Sequence, residues 1–164
     1  MEKEEKIVVG IGDIKIGKAP TIITTYLGSC IAVCLYASSD RVGGLLHIML
    51  GSAHHAQKKN NEEIFNKAKY ADTGIPEILR RLKQSYFIKK EDLVAKIFGG
   101  ANVLKSVKHK IGDTNETIVR QTLQDLDIKI VASQTGGEKG YRVEFDLATG
   151  KVFCKVFGEE TREY

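Results

Sequence analysis

The stretch that decides the fold is TIITTYLGSCIAVCLYASSDRVGGLLHIML, residues 21–50. Its composition is rich in β-branched and apolar residues, which are typical of strands. The pattern predicts three strands, at 21–27, 30–37 and 42–50. The intervening SSDR supplies turn-forming residues, so the second and third strands are expected to form a hairpin.

The register of this hairpin decides whether a cysteine and a histidine share one face of the sheet. If Ala37 faces Val42 across the turn, Ala32 lies opposite His47. Cys30 is then diagonal to His47 on the same face, at a separation of about 7–8 Å. A slip of one residue would send the two side chains to opposite faces. The spacing therefore permits a Cys–His pair without requiring one.

Such a pair has a clear chemical use. A cysteine attacks as its thiolate, and a neighbouring imidazole can take the thiol proton and later return it to a leaving group. Cys30 is the candidate nucleophile and His47 the candidate base. A third group usually holds the imidazole in one tautomer, and Thr24 and Thr25 lie on the preceding strand. The Leu-Gly-Ser run at 27–29 predicts a turn with free backbone N–H groups, suited to an oxyanion.

The alternative is that these residues are structural. Free cysteines are among the most buried residues, and Cys34 and Cys154 lie within apolar segments typical of core packing. The Cys30–Cys34 spacing does not match the redox C-x-x-C motif. A metal site built from Cys30, His47 and His54 would have no recognised ligand spacing.

The rest of the chain predicts an α+β fold. A helix is expected from Asp72 or Thr73, and a second helix from about Asn115. Buried strands are expected at 93–98 and 128–133, and a hairpin at 141–157 that turns at Ala-Thr-Gly. Strands and helices do not alternate regularly, which favours α+β over a βαβ arrangement. We expect a tail at 1–6, one domain at 7–158 and a second tail at 159–164.

Composition narrows the class of protein. The chain has 164 residues, 42% of them hydrophobic and 28% charged, with a net charge of +4. This is typical of one globular domain, and no apolar run approaches the roughly 20 residues that span a bilayer. Three cysteines and the absence of a secretory signal favour the cytoplasm. The basic residues are interleaved with acidic ones, so neither a nucleic-acid partner nor membrane insertion is expected, and a monomer is the default.

Six segments resemble the CheD family of chemoreceptor glutamine deamidases, and they occur in the order that the family shows. The resemblance runs from about residue 8 to residue 157. The most specific part is Leu-Gly-Ser-Cys followed 17 residues later by histidine. The segments are LGSCIAVCLY, GGLLHIML, KYADTGIPEIL, KIFGGANVL, IGDTNETIVRQTL and TGGEKGYRVEFDLATGKV.

The resemblance implies a fold of two packed mixed β-sheets flanked by helices, in the order α/β/β/α, related to the catalytic domain of a deamidating bacterial toxin. It implies a cysteine hydrolase that converts glutamine side chains of methyl-accepting chemotaxis receptors to glutamate. In that role Cys30 is the nucleophile, His47 the acid–base and Thr24 the group that orients the imidazole. No metal or organic cofactor is implied.

A second function is also implied by the family. Members resemble partners of the CheC-type phosphatase, so the alternative expectation is an adaptor that binds receptors and this phosphatase with little turnover of its own. The sequence departs from the family pattern at Gly51, Gln134 and Tyr141. These departures concern the rim of the expected site, and they leave the three expected site residues in place.

Overall fold

The structure is a computed structural model that describes residues 3–54, 65–104 and 110–164. Its strands are β1 (Lys6–Val8), β2 (Asp13–Lys18), β3 (Ile22–Leu27), β4 (Ile31–Ala37), β5 (Val42–Ile48), β6 (Val94–Gly99), β7 (Ile130–Thr135), β8 (Tyr141–Asp146), β9 (Val152–Val156) and β10 (Arg162–Glu163). Its α-helices are α1 (Ala71–Tyr86) and α2 (Ile111–Asp125), and two short 3₁₀ helices span Lys67–Lys69 and Lys90–Asp92.

The strands form two five-stranded sheets. The first sheet has the order β1-β3-β8-β9-β10, and the second has the order β2-β5-β4-β6-β7. Both sheets are mixed, because β1 pairs with β3 and β6 pairs with β7 in parallel, while the other neighbours are antiparallel. The predicted α+β class with two mixed sheets is confirmed.

One hydrophobic core lies between the two sheets. Its largest fully buried members include Ile23 from β3, Phe98 from β6 and Phe145 from β8. Cys34 and Cys154 also belong to it, at 1% and 2% exposure, so both are packing residues as expected. Because this core joins the sheets, the position of β3 relative to β4 and β5 is fixed by apolar burial.

A second core lies between the second sheet and the helices. Leu46 of β5 packs there with Ile75 and Ile78 of α1 and with Val119 of α2. Both helices cover this one face, so the layers are helices, second sheet and first sheet. The fourth layer of the expected α/β/β/α order has no helix among the described residues. The outer face of the first sheet instead carries Tyr26, which is 60% exposed.

Strand β4 is central in the second sheet, between β5 and β6. A strand covered on both faces and paired on both edges needs no polar alternation. All seven residues of β4 and all seven of β5 are accordingly buried. This explains why their sequences read as almost continuous apolar runs.

Both helices begin earlier than the sequence predicts. The first residue of α1 is Ala71, and the carboxylate of Asp72 accepts the N–H of Ala53 and the hydroxyl proton of Ser52, rather than capping its own helix. The first residue of α2 is Ile111, four residues before Asn115. Asparagine often caps a helix, but the amide of Asn115 bonds to backbone groups outside α2.

The chain ends differ from the expected tails. Lys6, assigned to the first tail, begins β1, which pairs with β3. Arg162 and Glu163, assigned to the second tail, form β10 and pair with β9. The two-residue strand was missed because it is polar and both its side chains are exposed. Across the described residues, no helix combines the length and apolar composition needed to cross a lipid bilayer.

Gly44 provides a test of how tightly β5 is packed. A Cβ atom there would lie 2.7 Å from Cγ2 of Ile16 and 2.9 Å from the carbonyl oxygen of Lys15. We therefore expect Gly44→Ala to lower the free energy of unfolding by about 1–3 kcal/mol, measured by urea denaturation. Gly10→Ala is the matched control, because a Cβ at Gly10 would have no atom within 4 Å. Equal losses in the two variants would contradict this packing.

Candidate active site

The candidate site lies where the ends of three strands meet. Residue Thr25 lies near the end of β3, Cys30 immediately precedes β4, and His47 lies near the end of β5. The hairpin register pairs Ala32 with His47, which confirms the register predicted from the turn. Side chains alternate along a strand, so Cys30 and Ala32 occupy one face, and that face also carries His47. It is the face that packs against the first sheet.

A short hydrogen-bond chain fixes the imidazole. Oγ1 of Thr25 lies 2.8 Å from Nδ1 of His47 and 2.7 Å from the carbonyl oxygen of Val9. A hydroxyl has one proton, and that of Thr25 is donated to the Val9 carbonyl. Oγ1 must then accept from Nδ1–H, which leaves Nε2 of His47 unprotonated. Nε2 is buried and has no hydrogen-bond partner among the described residues.

Burial keeps this imidazole neutral. His47 is 2% exposed, and desolvation lowers its pKa below the ordinary value of 6.5, while the nearby Val9 carbonyl opposes that shift by a smaller amount. At neutral pH the ring is therefore uncharged. A neutral imidazole with a free Nε2 lone pair is suited to accept a proton.

Cys30 is the most accessible of the three cysteines. It is 9% exposed, against 1% for Cys34 and 2% for Cys154. Burial raises the pKa of all three thiols, to about 12 for Cys154. For Cys30 its own backbone N–H opposes the rise, because it stabilises the thiolate. Cys30 is thus a protonated thiol at neutral pH that needs a base to become a strong nucleophile.

The structure brings His47 and Thr25 into direct contact, but it does not join Cys30 to His47 by a hydrogen bond. Cys30 lies one position beyond the last hairpin pair, Ile31 with Ile48, and is diagonal to His47. The resting site therefore holds a neutral thiol and a neutral imidazole on one face. Catalytic hydrogen bonds are often long in a free enzyme and shorten when substrate binds.

Comparison with known proteins places this chain in a family. The family model for CheD chemotactic sensory transduction matches residues 49–156. A Clostridium botulinum (strain Hall) protein named "Probable chemoreceptor glutamine deamidase CheD" is 39% identical over 164 residues, covering 97% of this chain and 98% of that protein. The chain belongs to the CheD family. A Pyrococcus abyssi protein of the same name is 40% identical over 163 residues, covering 96% of each chain.

The orienting hydroxyl expected from the CheD resemblance is corrected by one position. Thr24 was expected to contact the imidazole, but Thr25 makes that contact. Adjacent residues of a strand face opposite sides, and Thr25 points inward with Ile23 and Leu27, all three buried. Thr24 shares the opposite face with the exposed Tyr26. Residues 23, 25 and 27 alternate onto the same face of β3. The apolar Ile23 and Leu27 mark that face as the buried one, and this is the sequence signal that would have selected Thr25.

An open pocket adjoins the cysteine of this CheD chain. It encloses about 350 Å³, including solvent, between Ser29, residues 101–104 and residues 110–112. Its walls are mostly apolar, with Val103 and Leu104 exposed by 45% and 66%. Gly28 borders this pocket, because the nearest atom to a Cβ built there is Cγ2 of Val103, at 3.9 Å. The pocket is open to solvent, and Ser29, the residue before Cys30, forms part of its wall.

One residue beside the site was not anticipated as a functional side chain. Asn115 on α2 is 1% exposed and donates hydrogen bonds to the carbonyl oxygens of Ser29 and Met49. Sequence pattern marked it only as a helix start. The hypothetical metal site of Cys30, His47 and His54 has no counterpart, since within residues 3–54, 65–104 and 110–164 no three metal-binding side chains group together.

The two threonines provide a matched test of the imidazole geometry. We expect ¹⁵N NMR to show the Nδ1–H tautomer for His47 in the wild type and in Thr24→Val. Thr25→Val removes the acceptor of that proton, so the Nε2–H tautomer should become populated and the free energy of unfolding should fall by about 1–3 kcal/mol. An Nε2–H tautomer in the wild type, or the same response from Thr24→Val, would contradict the assignment.

Proposed function

We propose that this chain is a chemoreceptor glutamine deamidase with Cys30 as nucleophile and His47 as acid–base. The observation that carries the proposal is the Nδ1–H tautomer enforced by Thr25, which leaves an unpartnered Nε2 on a histidine that shares its face of the sheet with Cys30. Cys30 is the most exposed of the three cysteines, and Ser29, the residue before it in the chain, lines the open pocket. The names carried by the two relatives support the same activity.

The first half of the reaction forms a thioester. Nε2 of His47 takes the proton of the Cys30 thiol as the sulfur attacks the carbonyl carbon of the glutamine amide. The tetrahedral oxyanion forms beside the backbone N–H of Cys30, a group that also lowers the pKa of the Cys30 thiol. The imidazolium then protonates the amide nitrogen, the C–N bond breaks and ammonia leaves.

The second half hydrolyses the thioester. Neutral His47 takes a proton from water as the water oxygen attacks the thioester carbon. The C–S bond breaks, the imidazolium returns its proton to the sulfur, and glutamate is released. The thiol and the imidazole end in their starting protonation states, so the cycle uses only protein groups and one water molecule.

The partners follow from the family and complete the proposal. The substrate is the cytoplasmic part of methyl-accepting chemotaxis receptors, and the protein acts in the cytoplasm. Docking to a CheC-type phosphatase stays a prediction. An adaptor with little turnover is the second candidate, and the buried, oriented imidazole argues against it because binding alone has no use for a fixed tautomer.

The direct test is peptide mass spectrometry of receptor cytoplasmic fragments after incubation with the protein. Wild type should convert selected glutamines to glutamate, and Cys30→Ala should reduce the rate by at least about 10³-fold. Cys34→Ala is the matched control, since Cys34 is a core residue of β4, the strand that Cys30 precedes. Its rate per folded molecule should stay within about threefold of wild type.

Two results would overturn parts of this proposal. Conversion that persists in Cys30→Ala would remove the nucleophile. If wild type modifies no receptor fragment but binds a CheC-type phosphatase, the adaptor function would replace the enzyme.

The pH dependence of kcat/KM reports the ionisation of His47 and Cys30 in the enzyme without bound substrate. Protonation of His47 removes the base, so activity should be lost on the acid side, and burial places that loss below the ordinary imidazole value of 6.5. On the alkaline side activity should persist beyond neutral pH, because burial raises the pKa of Cys30. An acid limb with a midpoint above 6.5 would contradict a desolvated His47.

A further inference from the structure

Asn115 is a buried side chain that joins the two segments carrying the site. Its Nδ2 lies 2.9 Å from the carbonyl oxygen of Ser29 and 3.0 Å from that of Met49. Ser29 immediately precedes Cys30, and Met49 follows His47 by two residues. One amide group, with two N–H donors, thus serves both strand ends.

These two carbonyls lie where the β4–β5 ladder stops. The last pair is Ile31 with Ile48, and the next N–H along β5, that of Met49, bonds to the carbonyl of Lys69 instead. The two N–H groups of Asn115 take the place of the backbone hydrogen bonds that a further residue pair would make. Without them, two carbonyls would be left unpaired beneath α2, which is costly in a buried position.

The bond to Ser29 also fixes the direction of the Cys30 N–H. The only cis peptide bond among the described residues joins Ala19 and Pro20, so the Ser29–Cys30 peptide is trans. In a trans peptide the C=O and N–H groups point in opposite directions. The Ser29 carbonyl points toward α2, so the Cys30 N–H points toward the first sheet. That is the side of the Cys30 sulfur.

Close packing of α2 makes this contact possible. A Cβ on Gly112 would overlap the carbonyl of Gly100, and a Cβ on Gly51 would overlap the side chain of Ile118. These two glycines let the start of α2 approach both strand ends closely enough for the short Asn115 side chain to span them. If α2 lay farther from the strand ends, the Asn115 amide could not reach both carbonyl oxygens.

We infer that Asn115 is a positioning residue of the deamidation site, which holds the Ser29–Cys30 peptide so that the Cys30 N–H faces the oxyanion. The inference rests on the proposed function, since it requires Cys30 to be the attacking group. Asn115 touches neither the sulfur nor the imidazole in this role. It acts on catalysis by fixing the orientation of the Ser29–Cys30 peptide.

The test distinguishes an effect of Asn115 on oxyanion stabilisation from an effect on the reactivity of the Cys30 thiol. Asn115→Asp keeps the side-chain volume but loses the N–H donors, and Asn115→Ala removes the group altogether. With receptor fragments, kcat should fall by about 10- to 100-fold while KM stays within about threefold. Alkylation of Cys30 by iodoacetamide forms no oxyanion, so its rate should fall by clearly less than kcat, through loss of the N–H that also stabilises the thiolate.

Val119→Ala is the matched control for lost packing, because Val119 is a fully buried residue one turn further along α2. Its kcat per folded molecule should remain near that of wild type. Alkylation of the buried Cys34 and Cys154 reports any unfolding in each variant. Asn115→Asp places a carboxylate against two carbonyl oxygens, whereas Asn115→Ala leaves both unpaired, so the variants are destabilised for different reasons and either one that folds keeps the test informative.

Two outcomes would overturn the inference. A kcat in Asn115→Asp within about threefold of wild type would show that the peptide plane does not depend on this side chain. Equal falls in kcat and in Cys30 alkylation would show that Asn115 acts on the thiol rather than on the oxyanion. Neither result touches the proposed function, which fails only if Cys30→Ala retains deamidation.

Discussion

The hydrogen bond between Thr25 and His47 is the contact on which the site depends. Its direction is set by a third group, the Val9 carbonyl, which takes the only hydroxyl proton that Thr25 can give. A threonine in this position does what a carboxylate does in other nucleophile–base sites, without adding a negative charge. The imidazole therefore stays neutral in a buried setting, and its base strength is lowered by desolvation rather than raised by an anion.

This arrangement couples the site to the packing of the two sheets. Thr25 comes from the first sheet, whereas His47 and Cys30 come from the second. The residues meet only when apolar burial brings the sheets together, so a partly folded chain has no oriented base. On the other side of the second sheet, α2 holds the strand ends through Asn115. Each layer thus contributes one part of the proposed site: the Thr25 hydroxyl, the Cys30–His47 pair and the Asn115 amide.

The sequence predicts the positions of the proposed reacting pair better than those of the groups that support it. The register of His47 follows from the length of one turn, and the family resemblance implies Cys30 as the nucleophile. Thr24 and Thr25 are both polar within an apolar strand, so only the phase of their neighbours distinguishes them, and the wrong one was expected. Asn115 bonds to segments more than 60 residues away in the chain. Such contacts depend on where α2 docks, which local patterns do not report.

The most direct test of the reacting pair is the rate of Cys30 alkylation by iodoacetamide across pH, in the wild type and in His47→Gln. If Nε2 of His47 takes the thiol proton, the wild type should react at pH values far below the raised pKa of the thiol itself. His47→Gln should then be slower by at least about tenfold near neutral pH, because its thiol must ionise unaided. Superimposable profiles for the two proteins would contradict a working Cys30–His47 pair.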